Sequence, residues 1–267
     1  MKIAIITGAS SGLGREFAVQ IAQKYRSIDE IWLVARRQEQ LSETAAIVER
    51  EGRNVYVDTG SEDYRCEFII SEGAKRVRIL PMDITEKASQ SRLQELLESA
   101  QATVRILVNG AGYGMIGEFT ELSCAENTGM VDLNCGALTA ITYAVLPYME
   151  KNANIINVAS AAAFLPQPEF AVYAASKAYV LSFSRALHRE LRNRRIAVTA
   201  VCPGPVDTGF FQVAETYHKM KTYKKLVMAK PEKVVELALK DAYHRRGMSV
   251  YGGCMKLLQL VSKLLPR

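Results

Sequence analysis

Short runs of β-branched and aliphatic residues recur along this 267-residue chain, and longer segments with helical periodicity separate them. Runs that are apolar throughout, without alternation, are typical of parallel strands covered on both faces. The sequence therefore predicts a doubly wound α/β fold, with a parallel seven-stranded sheet flanked by helices on both faces. The predicted strands are Ile3–Thr7, Ile31–Ala35, Val77–Pro81, Ile106–Asn109, Ile155–Ala159, Val198–Cys202 and, more weakly, Ser249–Tyr251.

One stretch interrupts this rhythm. Residues 52–75 delay the third strand, and we expect an insertion there. Within it, NVYVD and YRCEFII flank the turn-like TGSED, which predicts an extra β-hairpin, with an inserted helix or a loop as the alternative. The series contains no linker or internal repeat, so we expect a single domain over residues 1–267.

Composition excludes several classes of protein. Lys and Arg outnumber Asp and Glu by 34 to 28, and the excess is spread along the chain, which argues against nucleic-acid binding and fits an anionic cofactor or an acidic partner. Five cysteines and three histidines show no metal-binding spacing, so we expect no metal. The N-terminus lacks signal-peptide features, and no apolar segment reaches the ~20 residues of a membrane span. These features predict a cytoplasmic protein.

The first strand ends in TGASSGLG, which runs directly into the helical REFAVQIAQKY. Glycines let a backbone approach a pyrophosphate closely, and a helix N-terminus offers N–H donors to an anion. A glycine pattern alone could be a tight turn, but its position between a first strand and a first helix favours a dinucleotide site. The expected contacts come from Gly8, Ser10, Ser11, Gly12, Leu13 and Gly14.

The end of the second strand predicts which dinucleotide binds. Folds of this type place a carboxylate there for the ribose 2′-OH of NAD, or arginine for the 2′-phosphate of NADP. Arg36 and Arg37 stand at this position, which favours NADP(H) over NAD(H), unless both simply face solvent. Asp83, followed by Ile84 after the third strand, could accept a hydrogen bond from the adenine amine or could cap the next helix.

A candidate catalytic group follows downstream. Tyr173 and Lys177 in YAASK lie at i and i+4, so an ammonium can sit beside the phenol and lower its pKa from about 10 toward the working pH. Ser160 ends the fifth strand and can donate to the same substrate oxygen. A second YxxxK, Tyr217 with Lys221, lies in a polar, Lys-rich segment without a matching Ser and is the weaker candidate.

Together these motifs resemble the short-chain dehydrogenase/reductase family, in its compact single-domain branch with a Rossmann-type fold. The resemblance covers essentially the whole chain. TGASSGLG matches the family's TGxxxGxG, and NGAG matches its NNAG with Gly110 in place of the second Asn. PGPVDT matches the loop that closes on the nicotinamide. The family's catalytic tetrad falls on Asn134, Ser160, Tyr173 and Lys177.

The resemblance implies hydride transfer between a nicotinamide and a carbonyl or secondary alcohol, without a metal, because the cofactor carries the hydride. It implies that Tyr173 protonates the forming alkoxide, that Ser160 hydrogen-bonds the carbonyl oxygen, and that Lys177 holds the ribose and lowers the tyrosine pKa. Asn134 would position a water behind Lys177, or could be a satisfied polar residue in a helix kink. Further cofactor contacts are expected from Asn109, Gly110, Ala111, Tyr173, Lys177, Pro203, Gly204, Val206 and Thr208.

We expect residues 205–230 to form a substrate lid rich in Met and aromatic side chains, which suits a bulky hydrophobic substrate such as a hydroxysteroid. A 3-oxoacyl thioester is the alternative substrate, and a non-catalytic NADP(H)-binding redox sensor is the alternative to an enzyme. The side chains expected at the substrate could instead pack the lid against its own domain. They are Met115, Phe164, Leu165, Phe210, Phe211 and Tyr217.

The C-terminal residues 255–267, MKLLQLVSKLLPR, form an apolar tail with scattered cations. Such a tail could lie on a lipid surface, but we favour packing against the core or a partner subunit, and membrane association is not expected. By analogy with the family, we expect a homodimer or homotetramer.

Overall fold

The computed structural model describes residues 1–51, 55–58, 75–218 and 228–264, with residues 55–58 described by their backbone. Within these residues eight strands form one fully parallel sheet, in the order β3-β4-β2-β1-β5-β6-β7-β8. The strands are β1 Lys2–Thr7, β2 Glu30–Ala35, β3 Val55–Asp58, β4 Lys75–Pro81, β5 Thr103–Asn109, β6 Met149–Val158, β7 Ala197–Val201 and β8 Met248–Ser249.

Helices cover both faces of the sheet. They are α1 Gly12–Lys24, α2 Gln38–Glu51, α3 Lys87–Ser99, α4 Cys124–Val131, α5 Leu138–Val145, α6 Ala171–Glu190, α7 Phe210–Ala214, α8 Pro231–Tyr243 and α9 Gly253–Ser262. A π-helical segment, Asp132–Ala137, joins α4 to α5, and short 3₁₀ turns occupy Leu146–Tyr148 and Ala161–Phe164.

Alternate residues of each central strand enter two separate cores. In β1, Ala4 and Ile6 pack with α1, α2 and α8, whereas Ile3 and Ile5 pack with α3, α5 and α6. Because successive side chains of a strand point to opposite faces, a strand covered on both faces must be apolar at every position. This requirement explains the continuous apolar runs, and the predicted doubly wound parallel fold is confirmed.

All seven predicted strands are present, with bounds that differ by a few residues. The eighth, β3, lies in the expected insertion and pairs in parallel with β4 at the sheet edge, with Val55 opposite Lys75. It corresponds to the first arm of the predicted hairpin. The second arm, YRCEFII, lies outside the described residues.

One helical run is longer and more apolar than the sequence analysis expected. The continuous run Cys124–Tyr148 has 25 residues and a mean hydropathy of 1.3, which is enough by length and composition to cross a membrane. It carries the buried polar residue Asn134, and Leu138, Ile141 and Val145 pack into the domain. This pattern is that of a core helix.

The order of the strands reverses at β1. The chain moves outward from β1 through β2 to the edge strand β3, returns to β4 on the same side, and then crosses over to place β5 on the other side of β1. In open α/β sheets, the carboxyl ends of the strands form a ligand crevice at such a switch point. The fold therefore places a crevice between the loops that follow β1 and β5.

Helix α1 packs directly on the end of β1. A Cβ added to Gly14, in the first turn of α1, would overlap the carbonyl oxygen of Gly8 and would lie 2.6 Å from the carbonyl carbon of Gly8 and 3.1 Å from the amide nitrogen of Ala9. All three neighbours are backbone atoms, which cannot rotate away. The contact therefore requires glycine at position 14.

Replacing Gly14 by Ala is expected to lower the free energy of unfolding by about 1–3 kcal/mol, because the added methyl must push α1 away from β1. Gly253→Ala is the matched control, since a Cβ at Gly253 meets nothing within 4 Å. Urea unfolding of the two variants measures the difference. Equal stabilities would contradict the packing described.

Candidate functional site

The carboxyl ends of the central strands open into one cleft of about 1230 Å³. Ordinary small-molecule pockets occupy ~300–1,000 Å³, so this cleft has room for an extended ligand with a second molecule beside it. Most of the residues predicted to bind a cofactor line it. They are Gly8, Ser10, Ser11, Gly12, Leu13, Gly14, Arg36, Arg37, Asp83, Ile84, Gly110, Ala111, Tyr173, Lys177, Pro203, Gly204, Val206 and Thr208.

The loops after β1 and β5 form the floor of the cleft and touch through their backbones. Gly8 has a φ of +69°, and a Cβ there would lie 2.6 Å from the amide nitrogen of Ala111. A Cβ on Gly110 would lie 2.8 Å from the carbonyl oxygen of Thr7. The Thr7 hydroxyl accepts hydrogen bonds from the amides of Gly110 and Ala111 at 3.2 and 3.3 Å. The departure from NNAG at Gly110 thus coincides with a close backbone contact.

The N-terminus of α1 faces this floor with its amide donors uncapped by a side chain. Ser11, the residue before the helix, has an extended backbone and makes no side-chain cap, and the first turn contains no acidic residue. Arg15 adds a cation at the same place, where it donates to the Ser10 carbonyl at 2.8 Å and to the Thr44 hydroxyl at 3.0 Å. The arrangement suits a pyrophosphate.

The two residues that directly follow β2 are both arginines, and neither position holds an acidic residue. Arg36 and Arg37 follow Ala35 and are both exposed. Arg36 lies 3.9 Å from a carboxylate oxygen of Asp83. Such guanidinium groups fit a phosphate, since they can donate two parallel hydrogen bonds.

Asp83 acts as a turn cap in this structure. Its carboxylate accepts hydrogen bonds from the amide and hydroxyl of Thr85, at 3.0 and 2.7 Å. Burial raises the pKa of Asp83, but the Thr85 hydrogen bonds and the Arg36 charge outweigh it, so the pKa lies below its ordinary value. Of the two roles considered, the cap of the next helix is not formed, because Glu86 is the residue before α3 and no side chain caps it there. The contact of Asp83 with adenine stays a prediction.

Three predicted catalytic residues converge in the cleft. Ser160 follows β6, and its hydroxyl accepts from the amide of Ala162 at 3.1 Å. Tyr173 lies in the first turn of α6, and Lys177 lies one turn later; both are buried yet line the cleft. The Lys177 ammonium donates to the Val158 carbonyl at 2.9 Å and lies 5.7 Å from the centre of the Tyr173 ring.

Burial dominates the electrostatics of this group. It raises the pKa of Tyr173 to about 12, against the opposing effect of a hydrogen bond with Ser160. It lowers the pKa of Lys177 to about 8. The sequence predicted a lowered tyrosine pKa, and the structure shows the opposite sign. The reason is that desolvation disfavours the phenolate more than Ser160 favours it.

Asn134 lies behind this group rather than in the cleft lining. It sits in the π-helical segment and is fully buried. Its amide nitrogen donates to the Tyr113 carbonyl at 2.9 Å and to the Ser176 hydroxyl at 3.0 Å, and its oxygen accepts from the Tyr113 amide at 3.1 Å. The side chain of Asn134 thus has hydrogen-bond partners within the protein and fixes the loop after β5. Its role in positioning a water stays a prediction.

The side chain of Asn109 points into the domain and does not line the cleft, in contrast to its expected contact with a cofactor. Its amide nitrogen donates to Thr142 and Asn157, both at 2.9 Å, and so links β5 to α5 and β6. Its side-chain oxygen is buried and has no hydrogen-bond partner among the described residues. Neighbouring strand positions face opposite sides, which explains why the motif alone did not reveal this orientation.

Three of the six expected substrate residues line the cleft, namely Leu165, Phe210 and Phe211. The ring of Phe210 packs against Tyr173 at a centroid distance of 5.5 Å. Phe170, which the sequence analysis missed, stacks on the Tyr173 ring at a centroid distance of 4.2 Å. An aromatic residue three positions before Tyr173 was the available signal.

The other three expected substrate residues do not line the cleft. Met115 is buried in the same small core as Tyr173. Phe164 packs beside Val180 in another core. The hydroxyl of Tyr217 donates to the carboxylate of Glu126 at 3.0–3.1 Å. Apolar side chains near a site pack on whichever surface is adjacent, so composition could not assign them. Lys221, the partner of Tyr217 in the second YxxxK, lies outside the described residues.

The lid and the tail both contribute to the cleft. The described part of the lid contains α7, and backbone hydrogen bonds tie it to Ile116 in the loop after β5, one from the Ile116 amide to Ala214 at 2.8 Å. Helix α9 adds Cys254, Met255 and Leu258 to the cleft lining. Met255 and Leu258 belong to the C-terminal tail, which the sequence analysis did not place at the site.

Comparisons with known proteins agree with this geometry. A family model described as short chain dehydrogenase matches residues 42–218. A sulfoacetaldehyde reductase of Chromohalobacter salexigens is 34% identical over 78% of this chain and 74% of its own. A very-long-chain 3-oxoacyl-CoA reductase of Laccaria bicolor is 32% identical over 73% of this chain, which spans 52% of that protein.

Solved structures give the same fold. A short-chain dehydrogenase from Sphingobium yanoikuyae, in complex with NADPH, superposes with a TM-score of 0.76, at 26% identity over 99% of this chain and 94% of its own. A Burkholderia phymatum enzyme in complex with NAD, at 23% identity over 97% and 92% of the two chains, has a TM-score of 0.74 and shows the fold alone. With a family match over more than half of its length, this chain belongs to the short-chain dehydrogenase/reductase family.

Proposed function

We propose that this protein is an NADP(H)-dependent oxidoreductase that interconverts a secondary alcohol and a ketone. The observation that carries the proposal is one cleft with two chemically different ends. One end has the uncapped N-terminus of α1 with three arginines, and the other has Ser160, Tyr173 and Lys177. The first end suits an anionic dinucleotide, and the second suits proton transfer to an oxygen.

The cofactor supplies the hydride, and the residues around β2 determine which cofactor is preferred. Positions 35–37 hold Ala35, Arg36 and Arg37, without an acid for a ribose 2′-OH. Arg15 lies in the same lining. The NADPH in the Sphingobium yanoikuyae structure supports NADP(H), although the Burkholderia phymatum neighbour holds NAD.

In the proposed reduction, the Tyr173 hydroxyl donates its proton to the substrate oxygen as negative charge develops there. The Ser160 hydroxyl donates a hydrogen bond to the same oxygen and so holds the carbonyl in place. Lys177 keeps a positive charge one helical turn away, held by the Val158 carbonyl. Asn134 fixes the loop of Tyr113 and thereby shapes the cleft behind Lys177. The raised pKa of Tyr173 keeps its hydroxyl protonated at neutral pH before the substrate binds.

Apolar side chains line the substrate end, which supports a bulky hydrophobic substrate such as a hydroxysteroid. The apolar residues of the cleft lining include Leu165, Phe170, Phe210, Phe211, Met255 and Leu258. Of these, Phe170 and Phe210 pack against the Tyr173 ring. A 3-oxoacyl thioester is the second candidate, supported by the name of the Laccaria bicolor relative. A redox sensor without catalysis is disfavoured, because such a protein would not need Ser160, Tyr173 and Lys177 together.

We also propose a cytoplasmic homo-oligomer. The described cysteines are all free thiols, as expected in a reducing compartment. A mainly apolar groove between α3, α5 and α6 is bordered by Val131, Tyr143 and Tyr179, which are exposed in the single chain. Exposed aromatic side chains around an apolar groove are typical of a protein interface, and this face supports a dimer.

Tyr173→Phe is expected to lower kcat/KM for NADPH-dependent ketone reduction by about 10²–10⁴-fold, because it removes the proton donor. The matched control is Tyr217→Phe, which changes the other YxxxK tyrosine and should leave turnover within about twofold. Absorbance of reduced nicotinamide, with a panel of hydroxysteroids, simple ketones and 3-oxoacyl thioesters, gives both rates. Tight NADPH binding without turnover of any substrate by the unaltered protein would favour the sensor instead.

Replacing Arg36 and Arg37 together by Ala should weaken NADPH binding by about 10–100-fold and leave NADH binding nearly unchanged, since the lost hydrogen bonds are charge-assisted. Arg50→Ala, at the exposed end of α2, is the control. Nicotinamide fluorescence gives both dissociation constants. A loss of equal size for both cofactors would refute the assignment of these arginines.

The kcat/KM for reduction should be constant at neutral pH and should fall as pH rises through about 8, because Lys177 then loses its charge. Titration of Tyr173 should not change kcat/KM near neutral pH, since its pKa is about 12. In Lys177→Arg the residual kcat/KM should not fall near pH 8, because a guanidinium stays charged throughout this range. If kcat/KM fell near pH 8 in both proteins, a group other than Lys177 would be the one that titrates.

A further inference from the structure

Helix α9 has two opposite faces. Its inner side chains Met255, Leu258, Gln259 and Ser262 are partly buried against the domain. The opposite face carries an apolar row at i, i+3, i+4 and i+7, here called the outer stripe, which lies along one side of the helix and ends in the turn that follows Ser262. Its members are Leu257, Leu260, Val261 and Leu264, with exposures of 61%, 57%, 39% and 79%.

Cations accompany the outer stripe. Lys256 and Lys263 are seven residues apart, so they lie on the same flank of the helix, between its two faces. The last acidic residue of the sequence is Asp241, and five Lys and Arg residues follow it. Within the described part of the chain, neither Lys256 nor Lys263 has an ion-pair partner. The exposed surface of α9 thus combines apolar side chains with positive charge.

In contrast to the packing that the sequence analysis favoured for this tail, we propose that the outer stripe docks on an anionic lipid bilayer, with its leucines among the acyl chains and the two lysines at the headgroups. A short helix with an apolar face and flanking cations lies in the membrane interface and binds anionic lipid through both. At about 15 Å, the ten residues of α9 cannot span a hydrocarbon core of ~30 Å. The helix therefore lies on the surface of the bilayer.

The size of the stripe argues against a second copy as its occupant. A stable protein interface buries ~800 Å² of accessible surface on each partner, and the four partly exposed side chains of the outer stripe supply only a fraction of that area. A bilayer needs no matching surface of fixed shape, so a small stripe suffices. The groove bordered by Val131, Tyr143 and Tyr179 is a separate and larger candidate for self-association.

Docking would bring the cleft to the lipid surface. The inner face of α9 lines the cleft through Met255 and Leu258, and a Cβ on Gly204 would lie 2.8 Å from the Met255 sulfur. A helix anchored on lipid would therefore hold the loop after β7 and the apolar end of the cleft near the bilayer. This consequence rests on the proposed function. It extends that function by indicating a substrate that dissolves in lipid.

The test is flotation of the full chain with vesicles of phosphatidylcholine, alone or with about 30% phosphatidylglycerol. We expect binding to the anionic vesicles and weak binding to the neutral ones. The double variants Leu257→Ser/Leu264→Ser and Lys256→Glu/Lys263→Glu should each lose at least about tenfold in partition. Phe119→Ser, which removes an equally exposed apolar residue elsewhere (64%), should bind like the unaltered protein.

Thermal unfolding of the variants without lipid should match that of the unaltered protein, because all four substituted side chains are exposed. Absent binding of the unaltered protein, or equal binding by the variants, would overturn the proposal. So would a fall in oligomer mass caused by the stripe variant in light scattering without lipid, which would identify a second copy as the occupant. Flotation does not depend on turnover, so its failure is distinguishable from failure of the proposed reaction.

Discussion

The backbone contact between the loops after β1 and β5 fixes the floor of the cleft, and the remaining parts of the site are positioned relative to it. Thr7 accepts hydrogen bonds from both Gly110 and Ala111, and Gly8 leaves no room for a side chain. This contact lies where the strand order reverses, so the N-terminus of α1 and the end of β5 open into the same space. The dinucleotide end of the cleft follows directly from it.

Burial is the second constraint, and it acts on the chemistry. Tyr173 and Lys177 line the cleft with little exposed surface, so the protonated phenol and the neutral amine are both favoured relative to water. The rise of the Tyr173 pKa to about 12 corresponds to roughly 3 kcal/mol between the two protonation states of the phenol. The site therefore holds a proton on Tyr173 strongly and keeps Lys177 charged at neutral pH at some cost in stability.

Much of this architecture could be predicted from sequence, because it depends on local patterns. Continuous apolar runs identify parallel strands, and the glycines between β1 and α1 identify the phosphate end. The orientation of Asn109, the packing of Met115 and the hydrogen bond from Tyr217 to Glu126 could not be predicted, since they depend on which surface the fold brings alongside. The sign of the Tyr173 pKa shift is likewise non-local, because Phe170 and Phe210 cover the ring from different elements.

The central claim is that Tyr173 holds and releases the proton of the reaction, and its titration tests this most directly. An NMR titration of ring-labelled tyrosine, assigned with Tyr173→Phe, gives the pKa of this residue in the protein alone and with NADP⁺. The account predicts a pKa of about 12 for the protein alone. It predicts a lower value once NADP⁺ is added, since a positive charge in the cleft favours the phenolate. Titration near 10 with the exposed tyrosines, or a pKa that NADP⁺ leaves unchanged, would contradict it.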